Sequence, residues 1–185
     1  MNKGIYLGLV HHPVCDKYEN TVTTSVTNMD IHDISRSCKT FGISGYFIIN
    51  PLDSQRIFVE RVLKFWKSDI AKRYNSDRVE ALSLVRFAYT IEDTINQIKK
   101  QENDLPLVIT TTANEMKDQI AIKDLNPEIF QKPILILFGT GNGLCNEIHL
   151  RADIILKPIK GRYKFNHLSV RSAVAIILDR LFSEK

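Results

Sequence analysis

The fold class is indicated by one stretch of sequence, Ile134-Leu135-Ile136-Leu137-Phe138-Gly139-Thr140-Gly141-Asn142-Gly143-Leu144. Its first five residues are all apolar, which is typical of a central strand covered by helices on both faces of a sheet. The three glycines that follow allow backbone amides to approach a ligand closely, and the next segment can offer a helix N-terminus. We expect a cofactor pocket at this turn, and the alternative is a tight strand-to-helix turn without a ligand.

The glycine spacing differs from two common nucleotide-binding motifs. The third glycine, Gly143, comes one residue too early for a Rossmann fingerprint, and too little chain follows for a dinucleotide-binding half. The Gly-Lys-Ser/Thr ending of a Walker motif is also missing from this stretch. A nucleotide-binding oxidoreductase is therefore poorly supported.

Short β-rich runs alternate with longer helical patterns on both sides of this stretch. The predicted strands are Ile5–Val10, Tyr46–Ile49, Ala81–Phe87, Leu107–Thr111, Ile134–Phe138 and Ile154–Leu156. The predicted helices are Met29–Phe41, Gln55–Ala71, Ile91–Lys100 and Leu168–Phe182, and the polar residues 66–77 are predicted to form a surface loop. This alternation predicts an α/β fold with a mostly parallel, doubly wound sheet flanked by helices.

Length and composition are those of an ordinary globular domain. The chain has 185 residues, of which 44% are hydrophobic and 25% charged, enough for a well-buried core. It contains no internal repeat, low-complexity tract or flexible linker, so we expect a single domain over residues 1–185. The net charge of +4 is compatible with a polyanionic partner but does not by itself indicate one.

A cytoplasmic location is expected from the absence of targeting features. No apolar run approaches the roughly 20 residues that a membrane span requires, and the start of the chain lacks the pattern of a signal peptide. The three cysteines, Cys15, Cys38 and Cys145, are an odd number without paired spacing and are predicted to be thiols. His11, His12, Cys15 and His32 match no common zinc-ligand spacing, so no metal is expected.

Two further segments are predicted to end strands at the same edge of the sheet as the glycine-rich turn. They are Thr110-Thr111-Thr112-Ala113 and Leu156-Lys157-Pro158-Ile159-Lys160-Gly161. Because open α/β sheets bind ligands at the carboxyl ends of their strands, the three segments together outline one pocket. Asn166-His167-Leu168-Ser169 opens the last helix, where Asn166 or Ser169 is expected to supply the N-cap oxygen.

The last predicted helix carries more apolar surface than one sheet contact can cover. Its apolar residues, from Leu168 to Leu181, occupy more than one stripe. A deeply buried terminal helix and a dimer interface would both remove this surface from water, and both interpretations stay open.

The segment Asp30-Ile31-His32-Asp33-Ile34-Ser35-Arg36-Ser37-Cys38-Lys39-Thr40-Phe41-Gly42 is predicted to be a helix ended by a glycine at its C′ position. Arg36 falls between the apolar positions Ile31, Ile34 and Phe41. A solvated arginine is the commoner explanation of such a residue.

These motifs together resemble the SPOUT superfamily of RNA methyltransferases over essentially the whole chain. Three segments carry the resemblance, and they occur in the superfamily's order at strand or helix edges. They are residues 30–42, Leu137-Phe-Gly-Thr-Gly-Asn-Gly-Leu144, and Asp153-Ile-Ile-Leu-Lys-Pro-Ile159 continuing to Asn166-His-Leu-Ser-Val-Arg-Ser-Ala173.

The resemblance implies an α/β fold whose C-terminal segment forms a trefoil knot, an exception to the usual rules of chain threading. It further implies that S-adenosylmethionine (SAM) binds in a bent conformation between the knotted loops. The implied activity is SAM-dependent transfer of a methyl group to a nucleotide of tRNA or rRNA. A homodimer packed through the knot region is also implied, and it would account for the wide apolar surface of the last helix.

The resemblance also implies roles for individual residues. Gly139, Gly141, Gly143 and Leu144 match the motif whose backbone cradles the cofactor, and Ile159 and Leu168 match positions around the adenine, with His167 and Ser169 beside them. Thr111, Thr112, Phe138 and Thr140, at the predicted strand ends, complete the predicted cofactor site. Arg36 matches an arginine that lies near the acceptor RNA in related enzymes.

The sequence departs from the ribose-methylating members of the superfamily at three places. Asp30 stands where those members usually have asparagine, and Thr140-Gly141 stands where they have a glutamate after the first glycine turn. His167-Leu168-Ser169 replaces a Ser-Leu-Asn run. These differences weaken the case for a ribose 2′-hydroxyl target but leave cofactor binding, which relies on backbone groups, unaffected.

Methyl transfer requires alignment and, for some acceptors, a base. Because the guanidinium of Arg36 is a poor base and a good phosphate ligand, we assign Arg36 to RNA positioning. Asp30, Asp33 and His167 are the candidate bases, with capping or surface roles as the alternative.

Basic residues near the predicted pocket are candidates for holding RNA phosphates, although a solvated basic face would look the same in the sequence. They are Lys160, Arg162, Lys164 and Arg171, with Lys132 and Lys157 nearby. A non-catalytic RNA- or nucleotide-binding module that retains the SAM pocket is the alternative function.

Overall fold

The computed structural model describes residues 3–163 and 165–183. Its strands are β1 (Ile5–Val10), β2 (Val14–Cys15), β3 (Thr21–Val22), β4 (Gly45–Ile49), β5 (Val85–Ala88), β6 (Leu107–Thr110), β7 (Ile134–Gly139) and β8 (Ile154–Ile155). Its α-helices are α1 (Asn28–Thr40), α2 (Asp53–Trp66), α3 (Asp69–Tyr74), α4 (Ser76–Leu82), α5 (Ile91–Glu102), α6 (Asn146–Leu150) and α7 (Val170–Phe182).

Six strands form the main sheet in the order β5-β4-β1-β7-β6-β8, and every neighbouring pair is parallel. The strands β2 and β3 form a small antiparallel hairpin. Since β1 and β7 pair at the centre, their carboxyl ends lie side by side. The α/β class and the mostly parallel sheet predicted from the sequence are confirmed.

The two faces of the sheet bury separate hydrophobic clusters. In β7, Ile134, Ile136 and Phe138 join a cluster with buried residues of α1, α2 and α7. The alternate residues Leu135 and Leu137 join a second cluster that includes residues of α5 and α6. Side chains of a strand alternate between faces, so a strand that is apolar throughout needs helices on both sides.

The first helix begins and ends one residue earlier than predicted, at Asn28 and Thr40. The Thr27 hydroxyl accepts a hydrogen bond from the Asp30 amide, and the Asp30 carboxylate accepts one from the Thr27 amide, which forms a capping box. At the other end, Gly42 has a φ of 70°, the left-handed conformation expected at a C′ position.

The segment 66–77 is not the surface loop that its polar composition predicts. It contains α3 and the start of α4, whose N-caps are Ser68 and Asn75. These polar caps resemble loop residues in the sequence, while Ala71 supplies the one buried position of α3. The predicted strand over 81–87 also begins later, at Val85, because residues 81–82 end α4.

The last helix begins at Val170, two residues later than predicted, and Ser169 is its N-cap. The Ser169 hydroxyl accepts a hydrogen bond from the Ser172 amide at 3.2 Å, as the capping prediction requires. Val174, Ile177 and Leu178 are buried in the core beside α1. Ile176 is half-buried, so part of the apolar surface of α7 lies outside this core.

Candidate functional site

The glycine-rich segment after β7, residues 139–145, forms a loop that is bonded to the chain following β1. The Thr140 amide donates to the Val10 carbonyl at 3.1 Å. The Cys15 amide donates to the Gly143 carbonyl at 3.0 Å, and the Asn142 amide donates to the Cys15 carbonyl at 3.1 Å. The loop is therefore held at the carboxyl edge of the central strands, where open α/β sheets bind ligands.

Two positions of this loop favour glycine, Gly139 because space is lacking and Gly143 because of its backbone angle. A Cβ atom on Gly139 would lie 2.7 Å from the carbonyl carbon of Gly143, because the loop folds back on itself. Gly143 has a φ of 105°, and nothing lies within 4 Å of the position of its missing Cβ. The Cα of Gly143 thus faces open space, while its amide donates to the Thr140 carbonyl at 3.0 Å and its carbonyl accepts from Cys15.

A chain of hydrogen bonds joins the end of β1 to the loop. The Thr140 hydroxyl donates to the Val10 carbonyl at 3.1 Å and lies 2.5 Å from the Thr24 hydroxyl. The Thr24 hydroxyl in turn lies 2.9 Å from Nδ1 of His11. Since each hydroxyl has one hydrogen, Thr24 donates to Thr140 and accepts from Nδ1–H of His11.

These hydrogen bonds place a proton on Nδ1 of His11, so the neutral imidazole carries none on Nε2. Its Nε2 is then a bare acceptor, inaccessible to solvent and without a partner in the described part of the chain. Burial lowers the pKa of His11 from 6.5 to about 4, opposed by the negative charge of Asp30. The imidazole is thus uncharged at neutral pH.

The sequence did not single out Thr24, His11 or Asn50 for this site. His11 and Asn50 directly follow β1 and β4 and are fully buried, so polar residues at the carboxyl ends of predicted strands were the available signal. The Asn50 amide group donates to the Thr24 carbonyl at 3.0 Å. No local pattern marked Thr24, because its role depends on contacts across 116 residues of sequence with Thr140.

Cys15 and Cys145 form a disulfide, with their Cα atoms 5.2 Å apart, so the prediction of three thiols is wrong for this pair. The pairing follows from the contact between β2 and the loop, which brings together residues 130 positions apart. Cys38 is a buried free cysteine, and burial raises the pKa of its thiol. The bond covalently ties the hairpin to the end of the glycine-rich loop.

The chain after β8 forms a second wall of the site, against residues 110–122. The Leu156 amide donates to the Thr110 carbonyl at 2.9 Å, and the Gln119 side chain donates to the Leu156 carbonyl at 3.3 Å. Further along, the Asn166 side chain donates to the Ala113 carbonyl at 3.0 Å. The three predicted segments are therefore close together at the carboxyl edge.

The residues predicted to bind a cofactor divide into buried and accessible ones. Phe138 and Leu144 are buried in the two core clusters, and the Thr111 hydroxyl donates to the Leu137 carbonyl at 3.0 Å. Around them, Thr112, Thr140 and Ile159 are half-buried, and His167, Leu168 and Ser169 are exposed. The buried members can offer a ligand only their backbone.

The predicted bases Asp30 and Asp33 both lie beside Arg171. Asp30 is 4% exposed and accepts hydrogen bonds from the Thr27 hydroxyl at 2.6 Å and from Arg171 at 3.0 Å. Asp33 is exposed and lies 3.5 Å from the Arg171 guanidinium. These ion pairs join α1 to α7.

The predicted RNA-binding residues lie on different elements of the fold. Arg36 is exposed on α1 and lines a cavity of about 310 Å³ with Asp33 and Phe41, and no hydrogen bond or ion pair joins it to another described residue. Lys160 pairs with Glu115, whose pKa is lowered by this contact. Arg162 is exposed beside the ring of Tyr163. Lys164 lies outside the described residues.

Residues 3–163 and 165–183 contain neither a metal-binding cluster nor a membrane-spanning helix. No group of three or more His, Cys, Asp or Glu side chains in these ranges could hold a metal ion. No helix in them is both long enough and apolar enough to cross a membrane.

Comparison with known proteins matches the chain to one family over nearly its whole length. Residues 4–183 match a family described as SAM-dependent RNA methyltransferase. An uncharacterised protein of Aquifex aeolicus is 40% identical over 185 residues, which is 99% of this chain and 90% of that protein.

A second relative is longer than this chain. A protein of Oleidesulfovibrio alaskensis named tRNA (guanine-N(1)-)-methyltransferase is 40% identical over 182 residues, which is 98% of this chain and 43% of that protein. The chain therefore spans less than half the length of this relative.

Solved structures share the fold at low sequence identity. The structure of TrmJ from Z. mobilis ZM4 matches with a TM-score of 0.64 and 16% identity, over 100% of this chain and 70% of that one. At this identity the match establishes the fold only, and it agrees with the architecture described above.

Proposed function

Because the chain belongs to the family of SAM-dependent RNA methyltransferases, we propose that it transfers the methyl group of SAM to a nucleotide of tRNA or rRNA. The observation that carries this proposal is the family match over residues 4–183, which includes the glycine-rich loop at the carboxyl edge of the sheet. An RNA acceptor agrees with the net charge of +4, and the proposed site of action is the cytoplasm.

The residues at the sheet edge fit SAM. The Cα of Gly143 faces open space, which leaves room for a ligand beside the loop, and Gly139 allows the loop to fold back tightly on itself. In the segment after β8, Ile159 is half-buried and Leu168 is exposed, and both offer apolar side chains for an adenine. The full proposed cofactor site is Thr111, Thr112, Phe138, Gly139, Thr140, Gly141, Gly143, Leu144, Ile159, His167, Leu168 and Ser169.

When bound, SAM supplies a methyl group activated by its sulfonium. The chain's own residues have to align that group with the acceptor atom and to take up the acceptor's proton where there is one. Of the three candidate bases, Asp30 and Asp33 are engaged by Arg171, whereas His167 is exposed at the rim beside Phe165. We therefore propose that His167 takes up the acceptor's proton.

Arg36 is proposed to hold an RNA phosphate from α1, since its guanidinium is exposed and unpaired in the part of the chain that the structure describes. Lys160, Arg162 and Lys164 are proposed as further phosphate contacts. Arg171 would have to give up its ion pairs with Asp30 and Asp33 to bind RNA, so its proposed contribution depends on RNA competing with those carboxylates.

A trefoil knot and a homodimer complete the proposal. Support for the knot comes from the segment after β8, which is bonded to residues 113–122 and then continues to α7 beside α1. Support for the homodimer comes from the apolar residues near this segment that the core does not cover. They are Tyr163, Phe165, Leu168 and Ile176.

The experiment has two stages, SAM binding and methyl transfer. Calorimetric titration should show saturable SAM binding by the wild type and at least about tenfold weaker binding by Gly139→Ala, because the new Cβ forces the loop open. The matched control is Gly42→Asn. Gly42 follows the C-terminal end of α1, and asparagine tolerates its left-handed conformation. Unchanged affinity in Gly139→Ala would contradict the proposed cofactor site.

The second stage follows labelled methyl groups from SAM into tRNA and rRNA that lack their own modifications. Label should appear in one of the two RNA pools, and His167→Asn should transfer methyl groups more slowly than wild type at saturating SAM. A slower rate in Asp33→Asn but not in His167→Asn would assign the proton to Asp33 instead. SAM binding without label in either RNA would indicate a non-catalytic binding module.

A further inference from the structure

A groove of about 430 Å³ lies between α1, α2 and α4, apart from the proposed cofactor site. Its wall on α1 includes His32, and its wall on α4 includes Arg78. The α2 side is lined by aromatic and basic residues, among them Phe58, Arg61, Phe65 and Trp66. We call this surface the α1–α2 groove.

The floor of the groove is an aromatic cluster around Trp66. The rings of His32 and Phe65 each meet the indole edge to face, with centroids 5.4 Å away. The guanidinium of Arg78 lies 5.2 Å from the centre of the indole ring. Phe65 itself is 55% exposed, which leaves a large ring available to a partner.

The charged residues that line the groove are all positive. Among the described residues that line it, none is acidic. Arg61 and Arg78 have no ion pair within residues 3–163 and 165–183, unlike Arg56, which contacts both Asp53 and Glu60. A partner with negative charge would complement these two guanidinium groups.

Two polar atoms in the groove also lack partners. Nδ1 of His32 and Nε of Arg78 are both inaccessible to solvent and without a hydrogen bond in the described structure. Buried polar atoms are usually satisfied, so these two atoms would gain partners if RNA binding turned the His32 and Arg78 side chains towards the ligand. Burial and the charge of Arg78 lower the pKa of His32, which favours a neutral imidazole that can accept as well as donate.

We propose that the α1–α2 groove binds an unpaired base and the adjoining phosphate of single-stranded RNA. Unstacked bases stack on exposed aromatic rings, and guanidinium groups bind the adjoining phosphates. The groove offers both kinds of group side by side. The proposal rests on the RNA methyltransferase function proposed above. It adds a second RNA contact on α2 and α4, distinct from Arg36 and the basic residues after β8.

The groove is connected to the glycine-rich loop through a short stretch of chain. Thr24, which contacts Thr140, is followed after three residues by Asn28, the first residue of α1 and part of the groove's rim. The Val26 amide between them donates to the Gln55 side chain of α2 at 2.7 Å. RNA held in the groove would thus be anchored on the elements that border the cofactor loop.

The test uses Trp66, which is the single tryptophan of the sequence, as a fluorescent reporter inside the groove. The probe is a single-stranded oligoadenylate of about 12 nucleotides. Saturating S-adenosylhomocysteine is present so that adenine does not occupy the cofactor site. Single-stranded RNA should quench Trp66, and an RNA duplex of the same length should quench it much less, because its bases are already stacked.

Two variants with matched controls identify the surface. Phe65→Ala and Arg61→Glu should each weaken binding of the oligoadenylate at least about fivefold, measured by fluorescence anisotropy of a labelled oligonucleotide. The controls are Tyr74→Ala and Arg73→Glu, which remove one aromatic ring and reverse one charge in the same way. Both residues are exposed on α3 and lie outside the groove. The controls should bind within about twofold of wild type.

Equal RNA affinity in the Phe65 and Arg61 variants and their controls would overturn the proposal. It would also be overturned if these variants changed the sedimentation coefficient but not RNA binding, since the groove would then be a contact between protein chains. SAM titration of every variant separates this result from failure of the proposed function. Loss of oligoadenylate binding with SAM affinity retained is the outcome that supports the groove.

Discussion

At the scale of single residues, one hydroxyl connects the central strand to the candidate cofactor loop. Thr24 accepts a hydrogen bond from His11 and donates one to Thr140, so its removal leaves a buried N–H without an acceptor. An unsatisfied buried donor generally costs about 1–3 kcal/mol. The stability of the loop should therefore depend on this side chain more than on its neighbours.

We expect Thr24→Val to lower the free energy of unfolding by about 1–3 kcal/mol and to weaken SAM binding, because the loop loses its anchor at Thr140. The matched control is Thr23→Val. Thr23 is exposed and bonds His12 at the surface, so its loss should change stability by less than about 0.5 kcal/mol. Denaturation in urea measures both variants, and equal destabilisation by the two would contradict the role of Thr24.

The buried imidazole of His11 predicts a dependence of stability on pH. Its pKa is about 4 in the folded chain against 6.5 as the ordinary value, so the unfolded chain binds the proton more tightly. The free energy of unfolding is therefore unaffected by this group above pH 6.5. It decreases as the pH falls towards 4, by up to about 3 kcal/mol.

Urea denaturation of wild type and His11→Asn between pH 7 and pH 4.5 checks this prediction. The wild type should lose more stability than the variant over this range. His32 and His149, whose pKa values burial also lowers, contribute with the same sign to both proteins and cancel in the comparison. The same loss of stability in both proteins would exclude His11 as the cause.

At the scale of elements, the hairpin β2–β3 and the glycine-rich loop act as one covalently linked unit. The bond between Cys15 and Cys145 adds to the backbone hydrogen bonds between Cys15 and the loop. The loop that is proposed to hold the cofactor is thereby restrained from two sides. The structure predicts that Cys15 and Cys145 are oxidised and that Cys38 is a thiol.

We expect one alkylatable thiol per chain, that of Cys38, when protein purified without reductant is unfolded in urea with an alkylating agent. After reduction all three cysteines should be labelled. The mass of the intact chain before and after reduction counts the labels. Three labels in the unreduced protein would show that Cys15 and Cys145 are thiols in solution.

At the scale of the whole molecule, the surface of α7 outside the core decides the proposed assembly. Ile176 is half-buried and is absent from the cluster that α7 shares with α1. A charged residue at this position would face the partner chain in the proposed homodimer, where burial of an unpaired charge is costly.

Ile176→Lys should therefore convert the proposed dimer to a monomer, while leaving helix content unchanged. Leu150→Lys is the matched control, since Leu150 is an exposed apolar residue of α6 whose neighbour Ile148 packs in the other core cluster. Sedimentation velocity of the three proteins measures their mass. A dimer that persists in Ile176→Lys, or a wild-type monomer, would contradict a contact through α7.

Much of the fold was predictable because it depends on local pattern. Short β-rich runs predicted β1 and β7 within one residue, and Ser169 was one of the two residues predicted to cap the last helix. The glycine-rich turn marked the edge of the sheet where the candidate site lies. In each case the signal and its structural consequence are only a few residues apart in the chain.

The contacts within the site were decided by tertiary structure. His11, Thr24 and Thr140 meet only because parallel pairing places the ends of β1 and β7 side by side, and the same approach joins Cys15 to Cys145. The α1–α2 groove likewise requires α4, which the polar composition of residues 66–77 concealed. Such contacts depend on how the elements pack. Local sequence patterns do not indicate which residues far apart in the chain come into contact.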